Sequence, residues 1–339
     1  MKLKLIFNIT FFIISFFTFS QESVPFTNYS RFSIKTKKDT IDFVVADTNL
    51  NSKKPILLFC QGSQPLPLFM DFNQNQIVPV SLSNFDIDKL NEKYHTVVIS
   101  MPHTPLIVHH SQLNEQYNYI TDTTNPYSYS VDYLLADYSE NYVRRANEVL
   151  HFLKKQKWVD NQKLVVMGHS QGARIALELA ASNKNITKLG LFGYNPNGRI
   201  DKSIRFARKT AEKGLITWHE ADSMQNAEID LYKMVWNSDS VKNHPSLVSW
   251  KSFSKSTMST LAHLKIPVYI AYGSDDITSD LCDLIPIYFV ENNKLNYVLK
   301  RYPNLEHNFF PVNEKGTVDY ENGKWKEVMN SFVEWSEIN

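Results

Sequence analysis

Residues 163–172 run Lys163-Leu-Val-Val-Met-Gly168-His-Ser170-Gln-Gly172, and Ala173, Ala176, Leu177 and Ala180 follow at helical spacing. The stretch reads as an apolar strand that turns sharply into a helix, with Ser170 at the corner. Such a turn holds the serine in a strained backbone conformation. It leaves no room for side chains two residues to either side, which explains Gly168 and Gly172. The turn lifts the Ser170 hydroxyl out of the sheet. It also sets the Gln171 backbone N–H at a helix N-terminus, where a negatively charged oxygen can be held.

Outward from this corner the chain alternates. Phe32–Thr36 and Ile41–Ala46 flank a Lys-Lys-Asp turn and predict an antiparallel hairpin. Short apolar runs follow at Pro55–Cys60, Thr96–Ser100, Lys163–Met167, Lys188–Phe192, Pro267–Tyr272 and Tyr297–Tyr302. Their continuous apolar character suits strands buried on both faces. Between several of them lie helical patterns, the clearest at Tyr142, Val143, Ala146, Val149, Leu150 and Leu153. Another runs from about residue 324 to 337. The expectation is an α/β fold: eight strands, mostly parallel, with helices on both faces. Residues 101–135, rich in Tyr, Asn, Thr, His and Pro, read as a long loop. Residues 198–262 hold amphipathic helical pieces, among them Ile204 to Ala211 and Ala227 to Trp236, and read as a helical lid inserted over the carboxyl edge of the sheet.

A serine at such a corner needs a base, and the base needs an orienting acid. In this architecture they follow the serine in the order acid, then histidine. Of the four histidines after Ser170, His219 and His244 lie in the expected lid, and His263 precedes a strand at the wrong edge. His307 lies just past the last expected strand and is the candidate base. The strand 267–272 leads into Gly273-Ser274-Asp275-Asp276. Asp276, three residues beyond the glycine, is the candidate acid, with Asp275 as its competitor and more naturally a turn or solvated carboxylate. The strand 55–60 runs into Gln61-Gly62-Ser63, and the Ser63 N–H is the candidate second donor to an oxyanion beside that of Gln171.

Composition narrows the function. The chain has 339 residues, 43% hydrophobic, with a formal net charge of +1, so it carries no basic footprint for nucleic acid. Two cysteines, Cys60 and Cys282, exclude a disulfide scaffold and a cysteine-based zinc module; Cys60 reads as a buried free thiol. His109-His110 and the run from His219 to Asp222 lack a complete metal-ligand set, so neither a metal nor an organic cofactor is expected. Only ten residues are glycine, yet four of them, Gly62, Gly168, Gly172 and Gly273, fall on the turns named above. Lys2 and Lys4 precede an apolar run from Leu5 to Phe19, shorter than the about 20 residues of a membrane span. With small residues before Gln21, residues 1–20 read as a cleaved signal peptide. The expected product, residues 21–339, is then exported, periplasmic or secreted, with no stable membrane span.

Gly168-His-Ser-Gln-Gly172, Gly273-Ser-Asp-Asp276 and His307 resemble the α/β-hydrolase superfamily. Trp158-Val-Asp-Asn161 resembles the lead-in of its prolyl-oligopeptidase-like and dienelactone-hydrolase-like members. The resemblance spans roughly residues 32–338. It departs at Gln61-Gly62, where many members carry His-Gly. It implies a serine hydrolase in which Ser170, His307 and Asp276 form a catalytic triad acting on a small-molecule or glycan ester. A serine peptidase of the prolyl-oligopeptidase type is the alternative, with Glu212, Glu220 or Asp222 as anchors for a peptide terminus. A non-catalytic binding protein on the same fold is a second alternative. Tyr117, Tyr119, Tyr127, Tyr129 and Tyr133 either line a mouth for sugar or aromatic groups or pack on themselves.

Overall fold

The computed structural model describes residues 21–73, 76–239, 241 and 244–338; the expected signal peptide, residues 1–20, lies outside them. In chain order the first elements are β1 (Gln21–Ser23), β2 (Ser30–Lys35), β3 (Thr40–Val45), β4 (Lys54–Cys60), β5 (Phe69–Asp71), β6 (Ile77–Pro79), α1 (Ile87–Lys93), β7 (His95–Ile99) and β8 (Ile107–His109). Next come α2 (Val131–Ala136), α3 (Ser139–Leu153), β9 (Val159–His169), α4 (Gln171–Ser182) and β10 (Lys188–Phe192). Helices α5 (Arg199–Glu212), α6 (Trp218–Asn237), α7 (Pro245–Ser252) and α8 (Met258–His263) precede β11 (Val268–Gly273). The chain closes with α9 (Ile285–Glu291), β12 (Tyr297–Tyr302) and α10 (Trp325–Glu337).

The main sheet has the order β1-β2-β3-β7-β4-β9-β10-β11-β12. From β7 to β12 every neighbouring pair is parallel, while β1, β2 and β3 form an antiparallel edge. The eight expected strands are all present; β1 adds a ninth at the edge. Alternation along each central strand builds two cores. In β4, Ile56, Leu58 and Cys60 face the cluster formed with α3 and α4, whereas Leu57 and Phe59 face the cluster formed with α10. β11 divides in the same way, with Val268, Ile270 and Tyr272 on one side and Tyr269 and Ala271 on the other. Burial on both faces is why these strands are apolar throughout.

One expectation needs correction. Residues 101–135 are not one long loop: β8 pairs with β5, which pairs with β6, in a small second sheet, and α2 begins at Val131. The strand signal fails there because three-residue strands are too short to show a period. Helix α1 has no periodic signal in the sequence, being seven residues long and burying only Leu90 among its own residues. The segment between β10 and β11 is helical as expected. The pieces 204–211 and 227–236 lie inside α5 and α6, and Thr217 with Glu220 forms a capping box that starts α6. Cys60 and Cys282 are both buried and free. Among the described residues no helix is long and apolar enough to cross a membrane.

Candidate active site

Parallel strands bring their carboxyl ends to one edge, and the loops leaving β4, β9, β11 and β12 meet there. Ser170, between β9 and α4, has φ +57° and ψ −123°, a left-handed backbone conformation rare outside glycine. Its N–H is anchored to the Phe192 carbonyl at 2.9 Å. The two flanking glycines are required by contact. A Cβ at Gly168 would overlap the Gly172 carbonyl, and one at Gly172 would overlap the carbonyls of Cys60 and Gln61. The corner is therefore pressed directly against the loop after β4.

The Ser170 hydroxyl lies 2.8 Å from His307 Nε2, and His307 Nδ1 lies 2.7 Å from Asp276 Oδ2. A carboxylate only accepts, so the proton sits on Nδ1, and the free Nε2 accepts from the serine. Asp276 is 2% exposed and accepts further bonds from the Ser279 hydroxyl and the Thr278 N–H. Burial pushes its carboxyl up, but His307, through its hydrogen bond and charge, and then Ser279 and Thr278, pull harder and hold it at about 2. Asp275 is exposed, and its N–H bonds the Leu305 carbonyl, which ties the acid loop to the histidine loop. His263 bonds the Ser259 carbonyl inside its own helix.

His169, which no local signal in the sequence marks, packs against His307. Its Nε2–H donates to the His307 carbonyl at 2.8 Å, with the two rings 4.8 Å apart. Burial, and then the neighbouring His307, hold its imidazole down at about 3, so it stays neutral. Gln61, the residue at the unusual position, is 6% exposed. Its Nε2–H donates to the Ile99 carbonyl at 2.7 Å and its Oε1 accepts from the Ser81 hydroxyl. This pins the loop that carries Ser63. As the first residue of α4, Gln171 has a backbone N–H without an intrahelical acceptor. Its side chain accepts from Arg199 at 2.6 Å and donates to Asp137 at 3.2 Å.

Ser63, Ser170 and His307 line two cavities at once, one of about 380 Å³ walled in part by α5 and α7 and one of about 340 Å³ walled in part by Phe59, Phe85 and Trp325. Tyr129 and Tyr133 of the tyrosine-rich stretch reach the first; Tyr117, Tyr119 and Tyr127 line neither. Glu212, Glu220 and Asp222 also line neither: Glu212 pairs with Arg208, Glu220 caps α6, and Asp222 accepts from Asn226. A third cavity, of about 390 Å³, lies at the opposite end of β9 and holds none of the residues named above for the site. Among the described residues no group of three or more histidines, cysteines and carboxylates gathers in metal-binding geometry.

No family model and no curated protein matches the sequence. Solved structures do match in shape. A protein assigned as a dienelactone hydrolase from Klebsiella pneumoniae aligns with TM-score 0.54 and 12% identity, over 92% of this chain and 98% of its own. The acylaminoacyl peptidase of Pyrococcus horikoshii aligns with TM-score 0.53 and 13% identity, over 89% of this chain and 41% of its own. A protein assigned as a dipeptidyl aminopeptidase IV from Bacteroides ovatus aligns with TM-score 0.50 and 11% identity, over 91% of this chain and 35% of its own. The chain thus spans about two fifths or less of the peptidases that it matches. Strand order, the Ser170 corner and these likenesses agree: the chain has the α/β-hydrolase fold.

Proposed function

We propose that the chain is a serine hydrolase that cleaves carboxylic esters through an acyl-enzyme. The observation that carries this reading is the unbroken hydrogen-bond chain from the Ser170 hydroxyl through His307 to buried Asp276. Ser170 Oγ attacks the ester carbonyl carbon while its proton passes to His307 Nε2. The oxyanion so formed is held by the backbone N–H groups of Ser63 and Gln171. Collapse breaks the bond to the alkoxy oxygen, which leaves as the alcohol with the proton from His307. Water then attacks the acyl carbon, giving a proton to His307. The second collapse releases the acid and returns that proton to Ser170. Asp276, ionised throughout, holds the tautomer and stabilises the imidazolium.

Esters are favoured over peptides because the acids that could anchor a peptide terminus, Glu212, Glu220 and Asp222, lie outside both cavities. The exported location rests on the sequence of residues 1–20 alone. Rapid-mixing kinetics with p-nitrophenyl acetate, run beside aminoacyl-proline p-nitroanilides, test the reading. The expected result is a burst of nitrophenol equal to the enzyme concentration, followed by slower turnover, and little cleavage of the anilides. Turnover of the anilides at comparable kcat/KM would move the assignment to a peptidase.

A further inference from the structure

The charges of the cavity walled in part by α5 and α7 do not balance. Among the described residues its lining holds one carboxylate, Asp137, and three cations, Arg174, Arg199 and Lys202. Asp137 accepts from neutral donors only, the Tyr142 hydroxyl and the Gln171 amide on one oxygen and the Ser249 hydroxyl on the other, so it keeps its charge and acts on Arg199 through space, with Gln171 and Ser249 between them. Arg174 is answered by Glu178 at 3.0 Å and by the carbonyls of Phe253 and Lys255.

Arg199 is different. It donates to Gln171 Oε1 at 2.6 Å and Ser249 Oγ at 3.2 Å, both neutral, and its guanidinium lies over the Phe253 ring. Among the described residues it has no carboxylate at ion-pair distance, whereas Arg145 has Asp39 and Arg205 has Asp201 and Asp280. Five guanidinium donors and two recorded acceptors leave N–H groups for a ligand. Lys202 stands three residues further along α5, hence on the same face, with no ion pair among the described residues. The cavity on the other side of Ser170 has no lysine, arginine or carboxylate among its described lining residues, and Phe59, Phe85, Phe310 and Trp325 stand in its wall beside uncharged polar groups such as Gln61 and Asn84.

We infer that Arg199 and Lys202 recognise a carboxylate on the substrate. The preferred ester carries an anionic group on the part lying against α5 and α7 and an apolar or aromatic group on the other part. This rests on the reading of Ser170 as an ester nucleophile. A carboxylate fits because a partly buried guanidinium offers a planar pair of donors. Its position on α5 puts the selectivity in the inserted helices, apart from the groups that break the bond.

The test uses two matched pairs of esters. One is p-nitrophenyl hydrogen adipate against p-nitrophenyl methyl adipate, with the charge in the acyl group. The other is 4-acetoxyphenylacetate against its methyl ester, with the charge in the leaving group. The wild-type chain should prefer the anionic member of one pair by about tenfold or more in kcat/KM, the scale of one hydrogen bond to a charged group. Lys202→Met should shrink that ratio, Lys202→Glu should bring it below one, and added salt should narrow it. Arg199→Lys should keep more of it than Arg199→Met. Should the Arg199 variants not fold, the Lys202 variants decide. Equal rates within both wild-type pairs, or a ratio unmoved by Lys202→Glu, would overturn the inference while leaving Ser170 as nucleophile. Failure to turn over any of the four esters would overturn the reading of Ser170, and the inference with it.

Discussion

His169→Gln separates the buried histidine from His307, the proposed base, by its pH dependence. His169 is 9% exposed, enclosed by the rings of His307, Phe309 and Trp325, with Asp276 the carboxylate acting on it electrostatically. Its imidazole is held at about 3, against 6.5 for the free side chain, chiefly by burial and next by His307. Between those values the unfolded chain takes up a proton that the folded chain refuses. Stability therefore falls as pH drops below 6.5, by about 1.4 kcal/mol per unit, and the loss stops growing below about pH 3. At pH 5.0 the loss is about 2 kcal/mol relative to pH 7.5, where it is absent. Glutamine does not titrate, and its amide can still donate to the His307 carbonyl. The other titrating groups are common to both proteins and cancel in the difference. Urea unfolding of wild type and variant at pH 7.5 and pH 5.0 should thus show the gap moving by about 2 kcal/mol in favour of the variant at the lower pH. A gap unchanged between the two pH values would refute the claim that His169 is buried and neutral.

Gly172→Ala drives a methyl group into the Cys60 and Gln61 carbonyls, so it should cost about 1–3 kcal/mol of stability and displace the loop carrying Ser63, lowering kcat; thermal unfolding and ester kinetics measure both. Asp276→Asn should lower kcat by on the order of 10³–10⁴-fold with little change in KM, whereas Asp275→Asn, on an exposed side chain, should stay close to wild type; the reverse pattern would exchange their roles. His307→Ala should reduce kcat/KM by several orders of magnitude while His263→Ala does not, because His263 only bonds a carbonyl of its own helix.

The candidate site was legible because each of its parts obeys a local rule. A serine forced to φ +57° between a strand and a helix demands glycine two residues either way, so Gly168 and Gly172 spell out the corner. Asp276 and His307 follow from chain order, and the structure brings both to hydrogen-bond distance in one line with Ser170. What was not legible depends on contacts between distant residues. Asp137, Gln171, Arg199 and Ser249 meet through side-chain bonds across 112 residues of sequence; no local pattern marks Asp137, Arg199 or Ser249, and the corner marks only the backbone N–H of Gln171. His169 looked like an arbitrary residue of the corner, since its partner, the His307 carbonyl, lies 138 residues away. The small sheet of β5, β6 and β8 escaped for a different reason: its strands are shorter than the window in which alternation can be recognised.

The central claim is that Ser170 is the nucleophile, and covalent trapping tests it most directly. The protein is treated with a fluorophosphonate, its intact mass recorded, and the adduct located by peptide mapping, in wild type and in Ser170→Ala. The account predicts one adduct per chain on Ser170, formed together with loss of esterase activity, and none in the variant. An adduct on another residue, or one formed equally in Ser170→Ala, would contradict it.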